Sequence, residues 1–268
     1  MHLKTLSRAL ALLTLLTGLL PADGSELGLR DTWQRLVFVL QLLERDYPES
    51  IEGGPGQDYA EQVVRADELL PLAHEAGPRA RKYLPVLEGV VQQVRHAGRS
   101  GPVVSACVQL EREFIAAGEL RVAPRSVPNL GRGKQLYARA CAACHGVNGA
   151  GPGPALRALR PVPSNFWDSD LMNNLTPFEA FNAVSLGVAG TSMPSFQQAL
   201  SADDRWNVVA FIATLRLPPC QGTAPLVGWE ELFRTGDQEL ISRFGEQALA
   251  CARRKFVYPK RLRADAGS

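Results

Sequence analysis

The hydrophobic positions of this chain recur every three or four residues, the spacing that places them on one side of an α-helix. Over the first 121 residues this spacing indicates four helices, the first ending before Pro48 and each followed by glycine or proline. The predicted helices cover residues 31–45, 59–76, 79–97 and 102–117. Because short connections between helices are typical of bundles, the pattern predicts an all-α helical module over residues 25–121.

After a proline-bearing linker at residues 122–129, the same spacing predicts a second helical unit over residues 130–217. Within it, Thr176 is followed by a proline and a glutamate, a capping box that opens one helix. Ser201 opens the next helix, whose apolar stripe begins at Trp206. Alternating strand patterns are missing from the sequence, so the predicted fold class is all-α throughout.

Residues 218–268 form a C-terminal extension, in which Thr235 precedes one further predicted helix. The apolar face of that helix consists of Leu240, Phe244, Ala248 and Cys251. Since a single helix of this length is unstable alone, we expect this face to pack on the N-terminal module. The basic residues of 253–263 are expected to form a solvated tail.

A haem-attachment motif, Cys-x-x-Cys-His, is formed by Cys141, Cys144 and His145 at the end of a helix predicted over 133–145. Two thiols three positions apart reach the two vinyl groups of one porphyrin, and the adjoining imidazole can bind its iron. A zinc site or a redox disulfide is disfavoured, because a histidine follows at once and no second cysteine pair lies nearby. The motif therefore predicts one covalently attached haem c.

The predicted helix, the motif and a glycine-rich stretch at 186–196 together resemble a class I cytochrome c. That stretch has the sequence Leu-Gly-Val-Ala-Gly-Thr-Ser-Met-Pro-Ser-Phe. The resemblance implies that Met193 is the sixth ligand of the iron, although methionine more often fills gaps in a core. The expected architecture is a class I haem domain flanked by an N-terminal helical bundle and a C-terminal helix.

Two further contacts are implied by this resemblance. A proline carbonyl should accept the ring N–H of His145, which fixes the tautomer of the imidazole. Pro154 is the candidate, with Pro152 and Pro161 as alternatives. The last helix of such a domain crosses the first near a small residue, so Gly133 should meet the apolar stripe of the helix that Ser201 opens.

The first 24 residues have the pattern of a secretion signal. Lys4 and Arg8 precede an apolar run at 9–20, and small residues follow at 22–24. The run is short for a membrane span, so a cleaved signal is favoured over an uncleaved anchor. Because c-type haem is attached on the outer side of the bacterial inner membrane, the haem motif agrees with export. We therefore expect the mature protein in the periplasm.

Charge gives no indication of a nucleic-acid partner, since the chain has 29 basic against 27 acidic residues. Cys220 and Cys251 are expected to form a disulfide in an oxidising compartment. Cys107 is expected to be a small buried residue of a helix. Its predicted face also contains Val104, Val108 and Ile115. An acidic cluster, interpreted as solvated surface rather than as a metal site, comprises Glu44, Asp46, Glu49 and Glu52.

Motifs outside the haem site indicate which group of cytochromes c this chain resembles. They are Leu-Glu-Arg-Asp-Tyr-Pro at 43–48, Pro-Ser-Asn-Phe at 163–166 and Asp-Arg-Trp at 204–206. With the haem motif, they are similar to the periplasmic cytochrome c associated with bacterial iron permeases of the Ftr1 type. This implies that ferrous iron, oxidised at or near an inner-membrane iron permease, gives its electron to the haem, which passes it to the respiratory chain. A peripheral membrane association would suit such a partner.

Three classes of function are open to a chain with one haem. Electron transfer without enzymatic activity is favoured, because His145 and Met193 would fill both axial positions of the iron. An enzyme such as the two-haem peroxidase would need a second haem motif. A haem-based sensor or binding module would release Met193 to bind a gas. Within the electron-transfer class, the alternative partner is a periplasmic dehydrogenase, with the N-terminal module as a docking domain.

Overall fold

The structure, a computed structural model, describes residues 24–52 and 56–255. The predicted signal segment up to residue 23 and the end of the basic tail lie outside the described residues. The described residues form helices and loops without a β-strand, as the sequence predicted. None of the described helices is long and apolar enough to cross a membrane.

The N-terminal module is a bundle in which a long first helix packs along the last one. Its helices are α1 (Gly24–Glu52), α2 (Gln57–Asp67), α3 (Leu69–Glu75), α4 (Pro78–Arg81), α5 (Leu84–Arg95) and α6 (Ser100–Ala117). The prediction that the first helix ends before Pro48 is wrong, because α1 continues through that proline. The adjacent Tyr47 is fully buried, and its hydroxyl donates to the carbonyl of Gly98 at 2.6 Å. The proline removes one backbone hydrogen bond of α1, and the burial of Tyr47 helps to hold this part of the helix in place.

Two predicted helices, 59–76 and 79–97, are each divided in two. A proline lies near the start of the second half in both cases: Pro71 in α3 and Pro85 in α5. Because proline has no N–H, neither residue can donate to the carbonyl four positions earlier. The helical periodicity is therefore preserved while the continuous ladder of hydrogen bonds is interrupted.

The haem region contains five helices and a short 3-10 turn. They are α7 (Leu130–Ala140), α8 (Ala142–His145), the turn Pro154–Leu156, α9 (Ser169–Asn174), α10 (Pro177–Leu186) and α11 (Ala202–Ile212). Both predicted helix starts are confirmed: Thr176 Oγ1 accepts from the Glu179 N–H, and Ser201 Oγ from the Asp204 N–H.

Helices α7 and α11 cross at Gly133, as expected, but with a different face of α11. A Cβ at Gly133 would lie 2.0 Å from the Asn207 carbonyl oxygen and 2.9 Å from the Cβ of Phe211. Trp206, which was predicted to lead this contact, instead stacks on Phe181 with 4.0 Å between ring centroids. The bulky indole needs the wider space beside α10, whereas the close crossing admits only backbone and small atoms.

The C-terminal extension contains three helices rather than one: α12 (Trp229–Arg234), α13 (Asp237–Phe244) and α14 (Glu246–Lys255). Gly245, with φ +86°, ends α13 in a conformation that favours glycine. The C-terminal helices share the large core with the N-terminal module, as expected, and in addition α12 packs against α10 and α13 against α9. The predicted disulfide is confirmed: Cys220 and Cys251 are bonded.

The start of the basic tail is buried, contrary to the sequence prediction. Arg253 is 1% exposed, and its guanidinium donates to Asp237 Oδ1 at 2.6 Å and to the Leu232 carbonyl at 2.7 Å. Arg254 donates to the carbonyls of Thr214 and Leu217. These partners bind the terminal nitrogens of both guanidinium groups and offset part of the cost of removing them from water, although the buried Nε of Arg253 has no hydrogen-bond partner.

One large hydrophobic core extends through the N-terminal module, α10, α11 and the C-terminal helices. A smaller cluster lies under the haem motif and contains Leu136, Tyr137, Cys141, Phe166, Met172, Val208 and Ile212. The sequence boundaries at 121 and 217 therefore do not divide the large core. Cys107 is fully buried, as predicted, but its neighbours on the buried face of α6 are Val103, Leu110 and Phe114.

Candidate haem site

The attachment motif is a tight turn between two helices. Cys141 ends α7, where its N–H donates to the Tyr137 carbonyl at 2.9 Å. The N–H groups of Cys144 and His145 both return to the Cys141 carbonyl, at 3.1 and 2.9 Å. Burial, with Cys144 nearby, raises the pKa of Cys141 to about 11, while Cys144 is exposed. The backbone thus presents both thiols and the imidazole from one turn.

The His145 ring is held by a backbone carbonyl and an aromatic ring. Its Nδ1 lies 3.0 Å from the Ser164 carbonyl oxygen, and the ring stacks on Phe166 with 4.9 Å between centroids. Burial lowers the pKa of His145, although the Ser164 contact opposes this. A neutral ring that donates through Nδ1 keeps the lone pair of Nε2 for iron.

The prediction of Pro154 as the carbonyl partner of His145 is wrong, and the partner is Ser164 rather than Pro152 or Pro161. Pro154 begins the 3-10 turn, where its own carbonyl accepts from the Arg157 N–H at 3.3 Å. The carbonyl at the predicted position is therefore already used within its own turn.

The Met193 loop, defined as residues 187–197, folds back on the last turn of α10. The Val188 N–H donates to the Met193 carbonyl at 3.2 Å, and the Ser195 hydroxyl donates to the Ser185 carbonyl at 2.5 Å. The Phe196 N–H returns to the Val184 carbonyl at 3.0 Å. Met193 is half-buried against the large core, so the loop is ordered by contacts on both sides of the methionine.

Gly187 is required for this reversal of the chain. Its φ is +71°, and a Cβ there would lie 2.7 Å from the Met193 carbonyl oxygen and 2.8 Å from the Ser195 nitrogen. Any side chain would combine an unfavourable backbone conformation with a clash. The glycine therefore fixes where the loop leaves α10.

The donor groups fit a covalently attached haem. Two thiols and one imidazole come from the motif turn, with the free lone pair of His145 fixed by Ser164. A thioether comes from the Met193 loop, which packs against the other hydrophobic core. Cysteine thiols for attachment with histidine and methionine as axial ligands are the set that electron-carrier haem uses.

Residues 130–216 match the cytochrome c family. This region is therefore a cytochrome c domain, of the class I type that its motif and helices support. Such a domain carries one covalently attached haem c and serves in electron transfer. The described residues on either side of this region form the helical flanks.

Among curated proteins no relative matches the chain. Among solved structures, one similar chain belongs to the Kuenenia stuttgartiensis reducing HAO-like protein complex Kustc0457/Kustc0458. It is 25% identical with a TM-score of 0.33, over 43% of this chain and 60% of that chain. This chain thus spans less than two thirds of the length of that relative.

A polar network between α1 and α10 was not predicted from the sequence. Asn182 is fully buried; its oxygen accepts from Gln34 and its nitrogen donates to Gln41, both at 2.9 Å. Beside it, Arg45 contacts the buried carboxylate of Glu179. Gln34 and Gln41 are seven residues apart in the most apolar part of α1, and this two-turn spacing of polar groups was the signal available.

The acidic cluster on α1 is only partly a solvated surface. Asp46 is bound by Arg45 at 2.6 Å and Arg65 at 2.7 Å, and Glu44 is half-buried. Burial, assisted by the charge of Glu111 and opposed by Arg112, raises the pKa of Glu44 to about 7. Among the described residues, no group of carboxylates, histidines or cysteines has the arrangement of a metal site.

Proposed function

We propose that this protein is an exported, periplasmic electron-transfer cytochrome whose iron is bound by His145 and Met193. The haem supplies one-electron redox chemistry, and the chain supplies its attachment through Cys141 and Cys144. The observation that carries the proposal is the Ser164 contact, which orients His145 while an ordered loop offers Met193. With both axial positions filled, an external substrate has no access to the iron.

The axial ligand is tested by Met193→Leu, which keeps the side-chain volume but removes the thioether. The oxidised variant should lose the weak iron–sulfur absorbance at ~695 nm and have a lower reduction potential, because thioether ligation favours ferrous iron. The reduced variant should bind carbon monoxide, which the reduced wild-type protein should not.

Met172→Leu is the matched control, since Met172 is a buried methionine of the same domain. It should keep the absorbance and the potential. A wild-type protein that binds carbon monoxide readily would favour the haem-based sensor instead.

The proposed electron donor is ferrous iron oxidised during uptake through an inner-membrane iron permease. This part rests on the sequence motifs at 43–48, 163–166 and 204–206, which resemble the permease-associated cytochromes. The N-terminal module would then hold the haem beside its membrane partner, and peripheral membrane association would follow. The respiratory chain would receive the electron.

Ferrous iron uptake under iron limitation tests the donor. Cells lacking the protein should take up less iron, and wild-type protein should restore uptake. Cys141→Ser combined with Cys144→Ser should not restore it, whereas Cys107→Ala, which alters a buried cysteine outside the motif, should. Normal uptake in cells without the protein would overturn the permease partner and favour the periplasmic dehydrogenase.

A further inference from the structure

We infer that helix α1 of the N-terminal module positions the Met193 loop and so controls how firmly Met193 is held. The inference rests on two sets of contacts: α1 contacts the end of this loop, and it also contacts α10, the helix from which the loop starts. Asp31, Gln34, Gln41 and Arg45 make these contacts. The inference rests on the proposed role of Met193 as a haem ligand.

The direct contact joins Asp31 to Gln197. The side-chain nitrogen of Gln197 donates to Asp31 Oδ2 at 2.7 Å, and Gln197 is four residues after Met193. The charge of Asp31 also acts on Arg205 of α11, where it opposes the lowering of the arginine pKa by burial. The Asp31 carboxylate therefore joins α1 to the far end of the Met193 loop.

The indirect contact is the polar network between α1 and α10. The Asn182 amide uses its oxygen with Gln34 and its nitrogen with Gln41, so both α1 residues fix it in one orientation. Arg45 holds Glu179 one turn earlier on α10. Since Gln41, Glu179 and Asn182 are buried, moving α10 away from α1 would leave them without partners.

A displacement of α10 would be transmitted to Met193. The loop starts at Gly187, directly after α10, and returns to its last turn through Ser195 and Phe196. The loop is thus held by α10 at its start and by α1 at its end. Because α1 also contacts α10, this helix outside the cytochrome c domain influences the position of both ends of the loop.

The test is the rate at which imidazole displaces Met193 from the oxidised holoprotein, because this rate depends on loop opening. Asp31→Ala and Gln197→Ala should each raise the rate about tenfold, the effect of losing one charge-assisted hydrogen bond from the closed loop. The double variant should be no faster than either single variant, since all three lack the same contact. Asp31→Asn, whose amide oxygen can still accept but has no charge, should give a rate between those of the wild type and Asp31→Ala.

Arg35→Ala is the matched control. Arg35 is also on α1, but its guanidinium binds Glu68 within the N-terminal module at 3.1 and 3.2 Å. It should leave the imidazole rate unchanged. Wild-type rates in both the Asp31→Ala and Gln197→Ala proteins, or equal acceleration by Arg35→Ala, would overturn the inference.

A different result would show that Met193 is not the axial ligand. The wild-type protein would then lack the iron–sulfur absorbance, or Met193→Leu would retain it. If the absorbance behaves as expected and only the Asp31 and Gln197 variants have no effect, the ligand stands and the positioning role of α1 is overturned.

Discussion

Glu44 is a half-buried carboxyl group on α1, and its protonation depends on its burial and on the nearby charge of Glu111 on α6. Burial and the nearby charge of Glu111 raise its pKa from 4.5 to about 7, while Arg112 opposes this. Burial also raises the pKa of Glu111, and it raises that of Cys107 to about 12. At mildly acidic pH, the folded protein therefore holds a proton here that the unfolded chain releases.

This gives a prediction about stability and pH. Because the folded state binds the extra proton between pH 4.5 and about 7, the contribution of Glu44 to stability falls as the pH rises through that window. Glu44→Gln should remove this fall and stabilise the protein above pH 7 by about 1–2 kcal/mol, a value reduced for solvent screening. Urea unfolding at pH 5 and pH 8 measures the difference.

Glu49→Gln is the control, since Glu49 is an exposed carboxylate on the same helix. It should leave the pH dependence of stability as in the wild type. Parallel pH profiles for the wild type and Glu44→Gln would contradict the raised pKa.

Individual site residues differ in how far the sequence can predict them. Cys141, Cys144 and His145 lie within five positions, so their chemistry is visible as a local motif. The Ser164 contact uses a backbone carbonyl, which every residue type has, so no side-chain signal distinguishes Ser164 from Pro154. The pairing of Asp31 with Gln197 joins residues far apart in the chain, and neither residue type indicates the other.

At the scale of elements, the crossing of α7 and α11 holds the haem motif on its smaller core. At the crossing, the backbone of Gly133 packs directly against the Asn207 carbonyl. Beside it, the rings of Tyr137 and Phe211 pack together with 5.5 Å between their centroids. The Asn207 side chain also accepts from the Asn129 N–H at 2.7 Å, where α7 begins. The crossing therefore sets the position of the helix that ends in Cys141.

Gly133→Ala should destabilise the holoprotein by about 1–3 kcal/mol, the usual cost of forcing extra volume into a packed contact. The added methyl would lie 2.0 Å from the Asn207 oxygen, which is backbone and cannot rotate away. The better helix propensity of alanine offsets only part of this loss. Denaturant unfolding followed by circular dichroism measures the change.

Gly89→Ala provides the comparison, because Gly89 lies within α5 and a Cβ there would meet no atom within 4 Å. It should stabilise the protein by about 0.5–1 kcal/mol through helix propensity alone. If both substitutions stabilise, the crossing is looser than the structure indicates.

The sequence predicts where helices form better than it predicts the residues at which each helix begins and ends. Periodic apolar positions identify most helices because burial of one face is what forms them. Their boundaries depend on tertiary contacts, as with Tyr47, whose buried hydroxyl accompanies a helix that passes through Pro48. The short helix α12 escaped prediction because six residues contain too few turns to show a period.

At the scale of the whole molecule, the large core joins described parts of the N-terminal module, the haem region and the C-terminal extension. Phe178, Phe181 and Val184 of α10 belong to the same cluster as the apolar residues of α1 and α6. Trp229 extends the connection by donating to the Pro124 carbonyl in the linker at 2.9 Å. Domain boundaries seen as composition changes in the sequence are therefore not boundaries of packing.

We expect the full-length holoprotein to unfold in one cooperative transition, with the N-terminal module and the haem domain melting together. Calorimetry should give equal calorimetric and van't Hoff enthalpies, and haem absorbance should follow the same curve as helix content. A polypeptide of residues 130–217 should be markedly less stable than the whole chain, because Glu179 and Asn182 would lose their partners on α1. Two separated transitions in the full-length protein would contradict the shared core.

The disulfide between Cys220 and Cys251 has a consequence for how the protein matures. Cys220 and Cys251 must be oxidised to form their disulfide. By contrast, Cys141 and Cys144 must remain reduced until they react with porphyrin. In an exported protein both demands arise in one oxidising environment. In the proposed exported protein, Cys141 and Cys144 would meet the oxidant first during N-to-C translocation, because they precede the disulfide pair in the chain. A reductant that meets the folded chain would reach Cys144, which is exposed, and not Cys251, which is fully buried, so the disulfide would survive conditions that keep the haem-binding thiols reduced.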